Sequence, residues 1–153
     1  MAGKIPDEQK HVARAALRIH MDVIYAMAED IGKRHLEFVM AENARRAWGE
    51  KSVLYVKPRL RHNTLAVTWY VVSWYGSKAL KTRRMVKKVI VKPKNKYGYT
   101  MDTLLKQARA WEVAMVSEVE NALIPIRREA SFIAGALSKL NQVLEVERAV
   151  DSE

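Results

Sequence analysis

The chain has 153 residues, 49% of them hydrophobic and 29% charged, which excludes wholesale disorder and leaves room for one compact core. It contains no cysteine, so a thiolate nucleophile, a disulfide scaffold and Cys-ligated zinc are all excluded. No apolar run reaches the ~18 residues of a membrane span. The opening Met1-Ala2-Gly3-Lys4-Ile5-Pro6 lacks an apolar leader core, so no membrane partner and a cytoplasmic location are expected, and a net charge of +10 points to an acidic partner.

From residue 7 the spacing predicts a helix as far as residue 48. Pro6 suits a first helical position, and Asp7 and Glu8 place negative charge at the positive end of the helix dipole. Val12, Ala16, Ile19, Val23 and Ala26 recur at steps of three and four, tracing one face, and Leu36, Met40, Ala44 and Trp48 carry an apolar stripe past Gly32. Unbroken, such a helix is about 60 Å long. Either Gly32 breaks it or it projects into a dimer.

The period then changes from 3.6 to 2, and a sheet is expected over 53–91. In Val53 to Arg61, Leu54, Val56 and Leu60 point one way while Tyr55, Lys57, Arg59 and Arg61 point the other. Pro58 cannot donate a ladder hydrogen bond, so this is an edge strand. His62-Asn63 is a hairpin turn in which Asn63 tolerates a positive φ. Thr64 to Tyr75, rich in Thr, Val, Trp and Tyr, is a second strand. Gly76-Ser77 marks the next turn, and a third strand runs from about Lys81 to Val91, completing an antiparallel meander.

After a basic, aromatic loop, Pro93 to Tyr99, Thr100 or Asp102 caps a second helical region over 100–149. Leu104, Ala108, Trp111, Met115, Val119, Ala122 and Ile126 form its stripe; Pro125 kinks or ends it. Ala130, Ile133, Leu137, Leu140 and Leu144 then form a short heptad seam that needs a partner helix. The expected fold is a single α+β domain over 1–153, with a long N-terminal helix, a three-stranded antiparallel basic meander and long kinked C-terminal helices.

Thirteen of the 27 basic residues and none of the 17 acidic ones lie between Lys51 and Met101, so the whole positive excess sits in the middle third. Ordinary surfaces mix both signs because like charges repel. A polyanion-binding region is the favoured explanation over a face neutralised by acids of the flanking helices. If the first hairpin closes over two residues, Arg61 faces Thr64, Arg59 faces Ala66, Lys57 faces Thr68 and Tyr55 faces Tyr70. One face then collects Lys57, Arg59, Arg61 and Tyr70, while Leu54, Val56, Leu60, Leu65, Val67, Trp69 and Val71 make a dry face for the helices. Cations spaced about 7 Å apart along a strand can meet successive phosphates.

The third strand adds Arg83, Arg84, Lys87 and Lys88, and the following loop Lys92, Lys94 and Lys96, as further nucleic-acid-binding candidates. Which face the third strand presents stays open, because one residue more or less in the turn inverts its parity. Among the aromatics, Trp69 is expected in the core, and Trp48 and Trp111 as packing residues on helical stripes. Trp74 and Tyr75 sit near a strand end where packing competes with base stacking; Tyr97 and Tyr99 flank Gly98 in the basic loop, where nucleic-acid contact is an alternative to packing.

Nothing resembles a catalytic constellation. His11 and His20 are nine residues apart on one helix, hence on opposite faces, and His35 and His62 lie farther along the chain. There is no H-E-x-x-H, Gly-rich phosphate loop or G-x-S-x-G. No catalytic residue, metal ligand or cofactor is expected.

The order helix, basic strands, helix, with Ala41-Glu42-Asn43-Ala44-Arg45-Arg46-Ala47-Trp48-Gly49 leading into Leu60-Arg61-His62-Asn63-Thr64-Leu65-Ala66-Val67-Thr68-Trp69-Tyr70, resembles the MobI group of conjugative-transfer proteins over roughly residues 10 to 145. The resemblance implies an auxiliary factor of integrating conjugative elements and related plasmids, acting at the origin of transfer as an accessory to the relaxase. It carries no functional residues across. The combined expectation is a non-enzymatic, dimeric protein that binds double-stranded DNA and assists a DNA-processing enzyme. Two alternatives remain: an RNA-binding module, and a helical interaction protein whose basic sheet docks an acidic protein.

Overall fold

The computed structural model describes residues 6–152. The leader reading of the first five residues lies outside them. In chain order the elements are α1 (Asp7–Arg45), a 3-10 turn (Trp48–Glu50), β1 (Leu54–Arg61), β2 (Thr64–Tyr75), β3 (Arg84–Val89), α2 (Met101–Leu105), a second 3-10 turn (Ala110–Glu112) and α3 (Val113–Asp151). The fold is α+β, with one three-stranded antiparallel sheet in the order β1-β2-β3 and two long helices across one of its faces. Among the described residues, no helix is long and apolar enough to cross a membrane.

The 39 residues of α1 are continuous through Gly32, giving a rod about 58 Å long. Its buried face is Met21, Ile24, Ala28, Gly32, His35 and Val39, whereas Val12, Ile19, Val23, Leu36 and Met40 are exposed. The stripe read from the sequence is therefore the outer one. Both stripes step by three and four; the sheet takes the one holding Ala28 and Gly32, whose small side chains let the helix approach closely. A Cβ at Gly32 would lie 3.5 Å from the Pro58 ring and 3.6 Å from the Val56 carbonyl oxygen, in ordinary contact.

The β1–β2 register is the expected one, with Arg61 opposite Thr64, Arg59 opposite Ala66, Lys57 opposite Thr68 and Tyr55 opposite Tyr70. Pro58 lies in the edge strand β1, as anticipated. In the turn, however, His62 rather than Asn63 takes the positive φ, 51°, and the Thr64 hydroxyl donates to the Arg61 carbonyl at 2.9 Å. The second connection is longer than a two-residue turn. Gly76 has φ 82°, and a Cβ there would fall 2.3 Å from the Thr82 carbonyl oxygen, so only glycine fits.

The second helical region breaks in a different place from the one expected. Thr100 occupies the N-cap position of α2, but α2 stops after five residues, and the long helix starts at Val113 and runs unbroken through Pro125. Of the two outcomes expected at Pro125, an end to the helix is thus excluded. The break at 106–112 has tertiary causes. Arg109 is extended, its amide donates to the Glu112 carboxylate at 3.0 Å, and its Nε donates to the Lys51 carbonyl at 2.9 Å. Buried Glu112 also accepts from the Ser52 hydroxyl at 2.7 Å, and burial raises its pKa. The buried stripe of α3 begins at Val116, Val119 and Leu123 instead of Met115 and Ala122.

Of the later seam of α3, Ala130, Ile133, Leu137 and Leu144 are buried and Leu140 is half-buried, and its partner is α1 of the same chain. Antiparallel pairing is marked by the ion pair of Lys10 with Glu147, by Arg14 with Asn141 at 3.4 Å and by His20 with Glu129 at 2.7 Å. Trp69, wholly buried, anchors the core where α1, α3 and the sheet meet, with His35 edge-on to its ring at 5.2 Å.

Candidate nucleic-acid interface

In the register of β1 and β2, Lys57, Arg59 and Arg61 project to the side that the helices leave open, beside Thr68 and Tyr70. The β2–β3 register settles the parity of the third strand. Val89 is opposite Tyr70, Lys87 opposite Val72 and Met85 opposite Trp74, so Lys87 joins this face. Its ammonium lies 5.2 Å from the centre of the Tyr70 ring, which stacks on Tyr55 at 5.8 Å and 24°. Together Lys57, Arg59, Arg61, Thr68, Tyr70 and Lys87 line a shallow groove of about 330 Å³. Burial raises the pKa of both Tyr55 and Tyr70, so each stays a neutral hydroxyl near pH 7.

None of these four cations forms an ion pair among the described residues. Several acids of the long helices pair with cations of those helices: Glu42 with Arg45 and Arg46, Asp30 with Arg34, Glu129 with His20, and Glu120 with Arg127. These four cations are therefore presented to solvent.

The other candidates are scattered. Arg84 and Lys88 are opposite Tyr75 and Val71, on the side of the sheet that carries the helices, although all six residues of β3 are exposed because the helices cover only β1 and β2. Arg83 precedes β3 and lies against the rings of Trp48 and Trp74, 4.7 and 4.8 Å from their centres. Lys94 and Lys96 sit in the loop after β3; Lys96 lines a separate groove of about 800 Å³ with Lys92, Tyr97 and Arg127. The Lys92 ammonium is turned into its own loop, donating to the carbonyls of Pro93, at 3.1 Å, and Lys96.

Among the aromatics, packing is the outcome for Tyr99 and one expectation, for Trp48, changes. Tyr99 is buried and its hydroxyl accepts from the Trp69 amide at 3.3 Å, so it is part of the core. Trp48, expected to pack on a helical stripe, is 62% exposed because α1 ends at Arg45. Trp111 packs against Phe38 and under Arg46, and Tyr97 against Phe132 and Arg128. Sequence reasoning also missed the buried cluster of Glu120, Arg127 and Trp69. Glu120 accepts from the Trp69 indole at 2.7 Å and the Tyr99 amide at 2.7 Å, and Arg127 bridges to the carbonyls of Val67 and Tyr97. The one available signal was Glu120 and Arg127 seven residues apart, on one face of a helix.

The four histidines are dispersed: His11 beside Arg14, His20 beside Glu129, His35 in the core and His62 in the hairpin turn. Among the described residues, no group of three or more His, Asp or Glu side chains is arranged to hold a metal ion.

Fold and surface define a class: a small α+β protein in which a helical layer backs a sheet whose outer face is basic and open. The family model for the MobI protein matches residues 24–141, and the chain belongs to the MobI family. It is a MobI-type mobilization accessory protein. No curated protein and no solved structure matches the chain.

Proposed function

We propose that this chain is a non-enzymatic DNA-binding accessory protein that acts at a conjugative origin of transfer and assists the relaxase, the enzyme that nicks DNA there. The observation that carries the reading is the set of Lys57, Arg59, Arg61 and Lys87 on one open sheet face with no ion-pair partner among the described residues. Adjacent cations on β1 stand about 7 Å apart, matching two phosphates along one strand of a duplex. Thr68 and Tyr70 add hydrogen-bonding groups beside them. The expected partners are double-stranded DNA, the relaxase and a second copy of the chain, and the cell compartment is the cytoplasm. Support for the second copy is the exposed stripe Val12, Ile19, Val23 and Met27 on α1, an apolar surface of the kind that marks interaction sites.

Affinity for duplex DNA measured against salt concentration tests this. Neutralising about five phosphates gives a log–log slope near −4 to −5, and replacing Lys57, Arg59 and Arg61 together with Ala removes most of it. A flat salt dependence overturns the reading. Preference for structured RNA over duplex DNA replaces it with an RNA-binding module, and indifference to all nucleic acids at ~50 mM salt leaves the basic sheet as a dock for an acidic protein.

A further inference from the structure

The open face is chemically divided. Its basic half runs along β2 from Thr64 to Tyr70 and carries Lys57, Arg59 and Arg61, with Lys87, opposite Val72, at its boundary. Its other half, from Tyr70 toward the end of β2, is aromatic. Trp74 lies on the same side as Tyr70, two pleats on, and the 3-10 turn after α1 brings Trp48 close by, so that both indoles share the Arg83 guanidinium. Trp48 is 62% and Trp74 48% exposed. A large, rigid ring left in water next to a cation contributes little to folding; Trp69, by contrast, is fully buried on the other side of the same strand.

Duplex DNA offers a flat protein surface phosphates and groove edges, with its base faces stacked on one another. Exposed rings beside a phosphate-binding groove therefore gain nothing from a continuous duplex, but they suit unpaired bases, whose free π-faces stack on aromatic side chains without regard to sequence. We propose that this face binds a junction: duplex on the Lys57–Arg61 half, and two or three unpaired bases of the continuing strand on Trp74 and Trp48. The dimensions agree. From Thr64 to Tyr70 is about 20 Å of strand, close to six base steps at 3.4 Å, and Tyr70 to Tyr75 adds about 17 Å. Arg83, already against both rings, supplies the charge for the phosphate between stacked bases and extends the cationic track past Tyr70.

This rests on the DNA-binding reading above, and the test separates the two. Affinity is measured for a blunt duplex and for the same duplex carrying a six-nucleotide single-stranded tail, with indole fluorescence followed in parallel. The tail is expected to tighten binding about tenfold and to quench fluorescence, as stacking on one or two rings does. Trp74→Ala and Trp48→Ala should each shrink the tail's advantage several-fold and remove part of the quenching, while Trp74→Phe retains most of the advantage; a cluster that merely fastens the 3-10 turn to β3 would change neither ratio. Equal affinity for blunt and tailed DNA overturns the junction proposal and leaves duplex binding standing. Loss of binding to both in the unaltered protein overturns the reading beneath it.

Discussion

Lys87 on β3 and Tyr70 on β2 meet across the outer face of the sheet, the ammonium 5.2 Å from the ring centre. That contact depends on the parity of β3. Lys87 and Lys88 are neighbours in sequence with the same charge, yet they point to opposite sides of the sheet.

Lys87→Ala should therefore weaken duplex binding and lower the salt slope by about one, as expected for one lost phosphate contact. Lys88→Ala should leave both within error. Fluorescence anisotropy titrations at three salt concentrations distinguish them, and equal losses from the two variants would show that face parity does not govern binding.

Glu120 and Arg127 hold the sheet on α3 through a bidentate pair, with separations of 2.8 and 3.0 Å, at a site where the carboxylate is wholly buried. Glu120→Ala strands the guanidinium in the core and releases the Trp69 indole and the Tyr99 amide. A loss of about 3–5 kcal/mol is expected, read as a lower urea midpoint. Because the cost lies in the uncompensated partner, a Glu120→Leu/Arg127→Met double variant should be less destabilised than Glu120→Ala alone.

His35 is 1% exposed, neither ring nitrogen has a hydrogen-bond partner among the described residues, and burial pushes its pKa down from 6.5 to about 4. The unfolded chain then binds the extra proton between pH 6.5 and 4. The stability of the neutral, packed ring is complete above pH 6.5 and is lost as pH falls toward 4, by about 3 kcal/mol in all. Denaturation midpoints at pH 7.5, 5.5 and 4.5 should fall more steeply in the unaltered protein than in His35→Phe, which keeps an aromatic edge against Trp69. Parallel pH profiles would exclude His35 as the cause.

The outer stripe of α1 predicts the oligomeric state. Ile19 and Val23 are 65% and 51% exposed, so Ile19→Asp/Val23→Asp should cost the isolated fold little, within about 0.5 kcal/mol per site. Light scattering should show a dimer for the unaltered chain and a monomer for the variant. A monomeric unaltered protein would rule out this face as a subunit contact.

Much of the fold was legible locally, and so was most of the groove. Alternation at period two specified both strands of the first hairpin, and a two-residue turn specified their register, so Lys57, Arg59, Arg61 and Tyr70 could be placed together from sequence. Their partner Lys87 could not, because its side depends on the length of the 76–83 connection, where Gly76 is forced by contact with Thr82. The same limit applied to α1. Helical periodicity marked the stripe from Val12 through Leu36 and Met40, whereas docking against Pro58 and Val56 turns a different one, containing Ala28 and Gly32, inward.

Composition and spacing by themselves determined the α+β order, the edge strand, the acid-free basic segment and the heptad seam of α3, since each depends on neighbours within a few residues. Tertiary structure alone decided where the second helical region breaks, which cations share a face, and that Trp48 and Trp74 meet at Arg83. Those outcomes depend on contacts between residues tens of positions apart, and pleat and helix periods repeat too regularly to encode which of their faces will be covered.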